Sequence, residues 1–166
     1  MNSYPITLNM KNRPVVVFGG GKVAYRKVVS LMNAKANVTI VAPTLIDSFI
    51  PFVETKKIKW IKDNFRPEYM KDAQLIIAAT NDPVVNEQIF EAKKETQWIN
   101  IVDNPALYDF HLPVTVYRGK LSISIATSGA SPLLARKIKN EIAEKYDESY
   151  TAYVDLLFEA RILIKD

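Results

Sequence analysis

Pro14-Val15-Val16-Val17-Phe18, followed at once by Gly19-Gly20-Gly21-Lys22-Val23-Ala24, is the stretch whose reading decides the fold. The first five residues, nearly all valine, read as a strand covered on both faces, because a half-exposed strand would alternate apolar with polar. Three glycines break it. Lys22 to Ala34 then carries Val23, Ala24, Val28, Leu31 and Met32 at helical spacing, so a helix with one apolar face follows. Gly19, Gly21 and Ala24 fit the pattern G-x-G-x-x-[GA]. The first glycine permits a tight turn, the second lets backbone approach a pyrophosphate, and the small third residue lets the helix pack on the strand. A helix N-terminus placed there offers unbonded N–H groups and a positive dipole end to phosphates. The competing reading is a turn that joins strand to helix and holds nothing. Against it, the chain has only five glycines, and three of them stand at this junction.

Working outward, Asn37 to Val41 is a second β-branched strand, stopped by Ala42 and Pro43, and Leu45 to Val53 reads as a short helix. Ile58 to Ile61, Leu75 to Ala79 and Trp98 to Val102 are three further strands. Between the last two, Asp82 and Pro83 supply an N-cap and a first helical position for a helix over Val84 to Lys94. Strand and helix alternating in this way predict an α/β fold, a Rossmann-like parallel sheet wrapped by helices. After Pro113 the pattern changes. Val114 to Tyr117 and Leu121 to Ile125 form a hairpin around Arg118-Gly119-Lys120, and Ser131-Pro132 opens a helix through Lys145. Tyr150 to Ile164 is a last amphipathic helix.

The expected division is a nucleotide-binding domain over residues 1–112, a small α+β dimerisation region of hairpin and helix over 113–146, and a C-terminal helical segment over 147–166. The part after residue 112, about 50 residues, is too small for a comfortable core of its own, so a homodimer is expected.

Composition narrows the function classes. With 48% hydrophobic and 24% charged residues the chain has the make-up of a globular protein rather than a disordered one. It has no cysteine, which removes disulfides, thiolate metal sites and cysteine nucleophiles together. Residues 1–10 lack the basic-then-apolar order of a signal peptide, and no apolar run nears the roughly 20 residues that span a bilayer. A cytoplasmic address without membrane contact is expected. The net charge of +4 comes from scattered residues, with Lys56, Lys57, Lys59 and Lys62 as the densest group, so no nucleic-acid tract is indicated.

Five segments in order, GGGKVAYRK (19–27), VTIVAP (38–43), AATNDPVVN (78–86), INIVDNP (99–105) and TSGASPLLAR (127–136), resemble the precorrin-2 dehydrogenase module of sirohaem synthases. The resemblance implies an NAD domain, a dimerisation region and a helical C-terminus, with NAD-dependent oxidation of precorrin-2 to sirohydrochlorin as the activity. Some such proteins also insert ferrous iron, and some are fused to a methyltransferase, for which 166 residues leave no room. The C-terminal helical part is also short compared with the bifunctional members, so the resemblance implies dehydrogenase activity over the bifunctional dehydrogenase and ferrochelatase, with a separate chelatase downstream. A non-catalytic NAD-sensing module is the alternative from another class.

The resemblance carries nucleotide contacts onto Lys22 and Val23 and onto Pro43 and Thr44, and it marks Asp103 as the important aspartate. The position of a serine linked elsewhere to the metal step is Thr127 here, with Ser128 beside it. On the residues alone, Gly19, Gly20 and Gly21 cradle the phosphates, and Thr80 and Asn86 line the nucleotide cleft. Asp103, just past the fifth strand, can serve as a base for the protons that accompany hydride transfer, or as a turn carboxylate before Pro105. Arg136, in the first turns after the Ser131 cap, is the preferred partner for substrate carboxylates alongside Thr127 and Ser128. The second strand ends without the acid that normally binds ribose hydroxyls and without an arginine for a 2′-phosphate, so only the turn favours NAD. His111, the sole histidine, reads as a packing or hydrogen-bonding residue, and no stably bound metal is expected.

Overall fold

A computed structural model describes residues 4–102, 104 and 107–165. Two compact units divide it, one within residues 4–110 and one within 111–165. The first is built on a parallel sheet of β1 (Pro14–Phe18), β2 (Asn37–Val41), β3 (Lys59–Ile61), β4 (Leu75–Ala78) and β5 (Trp98–Ile101), in the order β3-β2-β1-β4-β5. Between strands run α1 (Lys22–Asn33), α2 (Ile50–Glu54) and α3 (Pro83–Ala92), with single 3-10 turns at Asp47–Phe49 and Pro67–Met70.

The valines of β1 explain why it is central. Their side chains alternate across the sheet, so Val15 and Val17 pack in one cluster with Ala24 and Val28 of α1, while Val16 and Phe18 join the other with Ile89 of α3. Every one of these residues is at most 2% exposed. Burying an aliphatic side chain of this size contributes roughly 1.5–3 kcal/mol, and β1 supplies such groups to both faces. The expected α/β Rossmann-like sheet is what the chain forms.

The expected helix over 45–53 is shorter and later than the sequence suggested. Ile46 donates its backbone N–H to the Gly20 carbonyl at 3.0 Å, which ties it to the glycine turn instead. Pro51 lacks an N–H and so fits only the first turn of a helix, which is where it stands in α2.

The second unit pairs β6 (Val114–Arg118) with β7 (Leu121–Ile125) antiparallel and adds α4 (Pro132–Lys145) and α5 (Ser149–Lys165). Gly119 opens the two-residue hairpin loop at φ 58°, a conformation that two-residue hairpin turns favour at that place. The turn also lies against α5, where a Cβ on Gly119 would meet Thr151 Cγ2 at 3.0 Å. Arg118 braces the unit: its guanidinium donates to the Ala143 carbonyl at 3.1 Å and pairs with Glu148 at 3.2 Å. Lys120 pairs with Asp155.

Candidate functional site

The glycine turn sits where β1 hands over to α1, between the carboxyl ends of β2 and β4. Strand order reverses there, the place where open α/β sheets bind ligands. Gly19 is at φ 116°, and a Cβ on it would lie 2.2 Å from the Ala79 carbonyl oxygen, so β4's end presses directly on the turn. A Cβ on Gly20 would lie 1.9 Å from the Thr44 carbonyl oxygen, so the loop after β2 presses on its other side. Gly21 is different. A Cβ there meets nothing within 4 Å.

Gly21 also caps α1 without any side-chain hydrogen bond to the helix's first amides. An open space facing uncapped N–H groups is a cradle of the kind a phosphate fills. These residues fit the pyrophosphate of a dinucleotide. Lys22, the first residue of α1, is exposed, whereas Val23 turns inward and packs against the core cluster on its side of the sheet. Pro43 and Thr44 are both exposed at the end of β2.

Thr80 closes the opposite side. Its hydroxyl donates to Asn86 Oδ1 at 2.8 Å and accepts from the Asp82 N–H at 3.2 Å. Asn86, buried on α3, also accepts from the Thr80 N–H and donates to the Thr80 carbonyl, each at 3.3 Å. Asp82 caps α3, its Oδ1 accepting from the Val84 N–H at 2.9 Å. Thr80 and Asn86 line a depression of about 320 Å³ whose other wall includes Ile101, Val102 and Asn104. Asp103 falls between the last two in sequence but lies outside the described residues, as does Pro105.

In the second unit, the Thr127 hydroxyl donates to the Ser131 carbonyl at 3.1 Å and accepts from the Ser131 N–H at 3.2 Å. Ser131 in turn caps α4 through Leu134. Ser128 is held at φ 56°, a left-handed conformation that non-glycine residues seldom adopt, and Gly129 follows at φ 83°. Arg136 is exposed on α4. Among the described residues, no group of three or more His, Asp or Glu is placed to hold a metal ion.

A family model described as putative NAD(P)-binding matches residues 6–114, and one described as sirohaem biosynthesis protein, central, matches 118–145. Precorrin-2 dehydrogenase of Priestia megaterium is 34% identical over 161 residues, which cover 97% of this chain and 80% of that one. The chain belongs to the precorrin-2 dehydrogenase family. Its likeness to solved structures agrees: SirC, precorrin-2 dehydrogenase, matches with a TM-score of 0.86 at 34% identity, over 98% of this chain and 81% of that one. Siroheme synthase of Nitrosospira multiformis is 38% identical over 155 residues, 90% of this chain but 33% of its own length. The chain therefore spans about a third of that protein and most of the precorrin-2 dehydrogenase.

One pair that sequence reading passed over lies beside Ala42, where β2 and β3 end. Trp60 of β3 donates its indole N–H to the Ala42 carbonyl at 2.9 Å, and Lys62 Nζ rests 5.9 Å from the centre of the Trp60 ring. In the sequence Lys62 is one member of a scattered basic group. Only strand pairing brings it beside Ala42.

Proposed function

We propose that this chain oxidises precorrin-2 to sirohydrochlorin with NAD as hydride acceptor. The observation that carries this reading is the open Gly21 cradle at an uncapped helix start, in a chain so similar over nearly its whole length to a precorrin-2 dehydrogenase. When bound, NAD supplies a nicotinamide ring that takes a hydride from the substrate carbon. The chain's own part is to hold and orient. Gly19, Gly20 and Gly21, with the amides of Lys22 and Val23, grip the pyrophosphate, while Pro43 and Thr44 border the adenosine ribose and Thr80 the nicotinamide end. Fixing donor carbon and acceptor ring against each other removes much of the entropic barrier.

Asp103 is the residue we assign to the protons released as the hydride leaves. Support comes from its neighbours, since Val102 and Asn104 both line the depression beside Thr80. Thr127, Ser128 and Arg136 are assigned to the substrate, a polycarboxylate for which a guanidinium is a suitable partner. The left-handed Ser128 supports this, because strained backbone gathers at functional sites. Threonine at 127, where a serine is linked elsewhere to the metal step, supports leaving metal insertion to a separate chelatase.

We also infer a homodimer formed through residues 113–146, with 147–166 as a helical extension, working in the cytoplasm. Within residues 113–146, Tyr117 and Leu133 are 65% and 76% exposed, apolar surface of the kind that a second copy would cover.

Mixing the protein with NAD and precorrin-2 and following NADH absorbance tests the function, and saturable NADH production is expected. Asp103→Ala should retain NAD binding and lose most of kcat. NAD binding without any NADH would favour the sensing module instead. Wild-type turnover with an unchanged kcat in Asp103→Ala would remove that residue from the mechanism and leave the dehydrogenase standing.

A further inference from the structure

We infer that the adenosine end of this site accepts a 2′-phosphorylated nicotinamide dinucleotide as well as NAD, and that Lys62 holds the extra phosphate. The inference rests on the dinucleotide reading given above and concerns which sugar that site admits.

Discrimination against a 2′-phosphate normally comes from a carboxylate at the end of the second strand, which bonds the ribose hydroxyls and repels a phosphate. Here that place is Val41-Ala42-Pro43-Thr44, and it holds no acid. The first acids after β2 and β3 are Asp47, exposed on its 3-10 turn three residues beyond Thr44, and Asp63, whose carboxylate is engaged. Its Oδ2 accepts from the Tyr69 hydroxyl at 2.6 Å and pairs with Arg66 at 3.0 Å, and its Oδ1 accepts from the Asn64 N–H at 2.8 Å. With Arg66 against it, Asp63 adds little net repulsion at this edge.

A cation stands beside that place, at the end of the adjoining strand. β3 runs parallel to β2 with Val41 opposite Ile61, and the Ala42 N–H donates to the Ile61 carbonyl at 3.2 Å, so Lys62 is the next residue along from the last pair. The Trp60 indole anchors the spot by its bond to the Ala42 carbonyl. Lys62 is exposed, with its ammonium over the Trp60 ring at 5.9 Å. An exposed contact of that length is weak, so the side chain is readily drawn to a phosphate dianion. A lysine binds phosphate as a point charge and needs no fixed fork geometry, which suits a flexible side chain at an open edge.

Calorimetric titration of the whole protein with NAD and with NADP, at low ionic strength, tests this. Wild type should bind NADP within about tenfold of NAD. Lys62→Gln should weaken NADP by about fivefold or more and leave NAD within about twofold, while Lys62→Arg keeps both. Raising salt should weaken NADP more steeply than NAD, as screening of an added charge pair requires. NADP bound more than about a hundredfold more weakly than NAD by wild type would overturn the inference while leaving the dehydrogenase intact. Equal weakening of both nucleotides in Lys62→Gln, or of neither, would also overturn it. Failure of NAD itself to bind would instead bring down the dinucleotide reading beneath it.

Discussion

A Cβ on Gly20 would lie 1.9 Å from the Thr44 carbonyl oxygen, whereas one on Gly21 meets nothing within 4 Å. Adjacent residues of one motif therefore differ, the first pressed by backbone and the second beside the open space proposed to take the phosphates. Gly20→Ala should destabilise the protein by about 2–3 kcal/mol, since backbone must move to admit the methyl group. Gly21→Val should stay within about 1 kcal/mol of wild type and lose NAD affinity by at least about tenfold. Thermal denaturation beside calorimetry separates the two. The motif's spacing was legible in the sequence, but this difference between neighbours was not, because it depends on a loop that only the fold brings to the turn. Lys62 was hidden for the same reason.

At the same scale, the Tyr69–Asp63 hydrogen bond sets a pH dependence. The Tyr69 hydroxyl, then the Asn64 N–H, holds the Asp63 carboxyl below its usual value, and the same bond raises the Tyr69 phenol. Asp63 is thus more acidic folded than unfolded. Its contribution is complete above the ordinary carboxylate value of about 4 and is lost as pH falls through the lower folded value. For Tyr69 the contribution is present below the ordinary phenol value of about 10 and is lost as pH rises through the raised folded one. Tyr69→Phe keeps the ring and removes the bond, so its Tm should approach that of wild type at both extremes and fall below it in between. A constant gap from acid to alkali would show that the bond contributes nothing.

At the scale of elements, the buried strands were read from their β-branched runs, and α3 and α4 from Asp82-Pro83 and Ser131-Pro132. Such signals work because capping is local: Asp82 Oδ1 reaches the Val84 N–H two residues on, and Ser131 Oγ the Leu134 N–H three on. Asp82→Ala should cost about 1 kcal/mol, read as a lower denaturant midpoint at unchanged slope. The segments over 45–54 and 67–70 were less legible. Ile46 is governed by a backbone bond to Gly20 that no local pattern announces. The 3-10 turn at Pro67–Met70 is a single turn, too short for any period to show.

For the whole molecule, the amphipathic pattern of the last helix announced a face that needs a partner, and much of that face is exposed. In the region proposed for dimerisation, Tyr117 of β6 and Leu133 of α4 are likewise 65% and 76% exposed. If a second copy covers them, wild type sediments at twice the chain mass and its Tm rises with concentration. Tyr117→Glu with Leu133→Glu should then give a monomer with a concentration-independent Tm. Sedimentation of wild type as a monomer at micromolar concentration would refute the dimer. Partner geometry is not written in one chain's hydrophobic pattern, which says that a face is apolar and not what it meets.

The Ile46-to-Gly20 bond, with the Thr44 carbonyl seated on Gly20, has a bearing on how such a protein can change over generations. A loop seated on the glycine turn by two backbone contacts tolerates insertion poorly, because each shift would disturb the turn proposed to hold the phosphates. Both contacts are made by backbone, so the exposed side chains of Pro43 and Thr44 are as open to selection for a different coenzyme as Lys62 is. Descendants that switch coenzyme should differ in the side chains at 43, 44 and 62 while the length of the loop stays as it is.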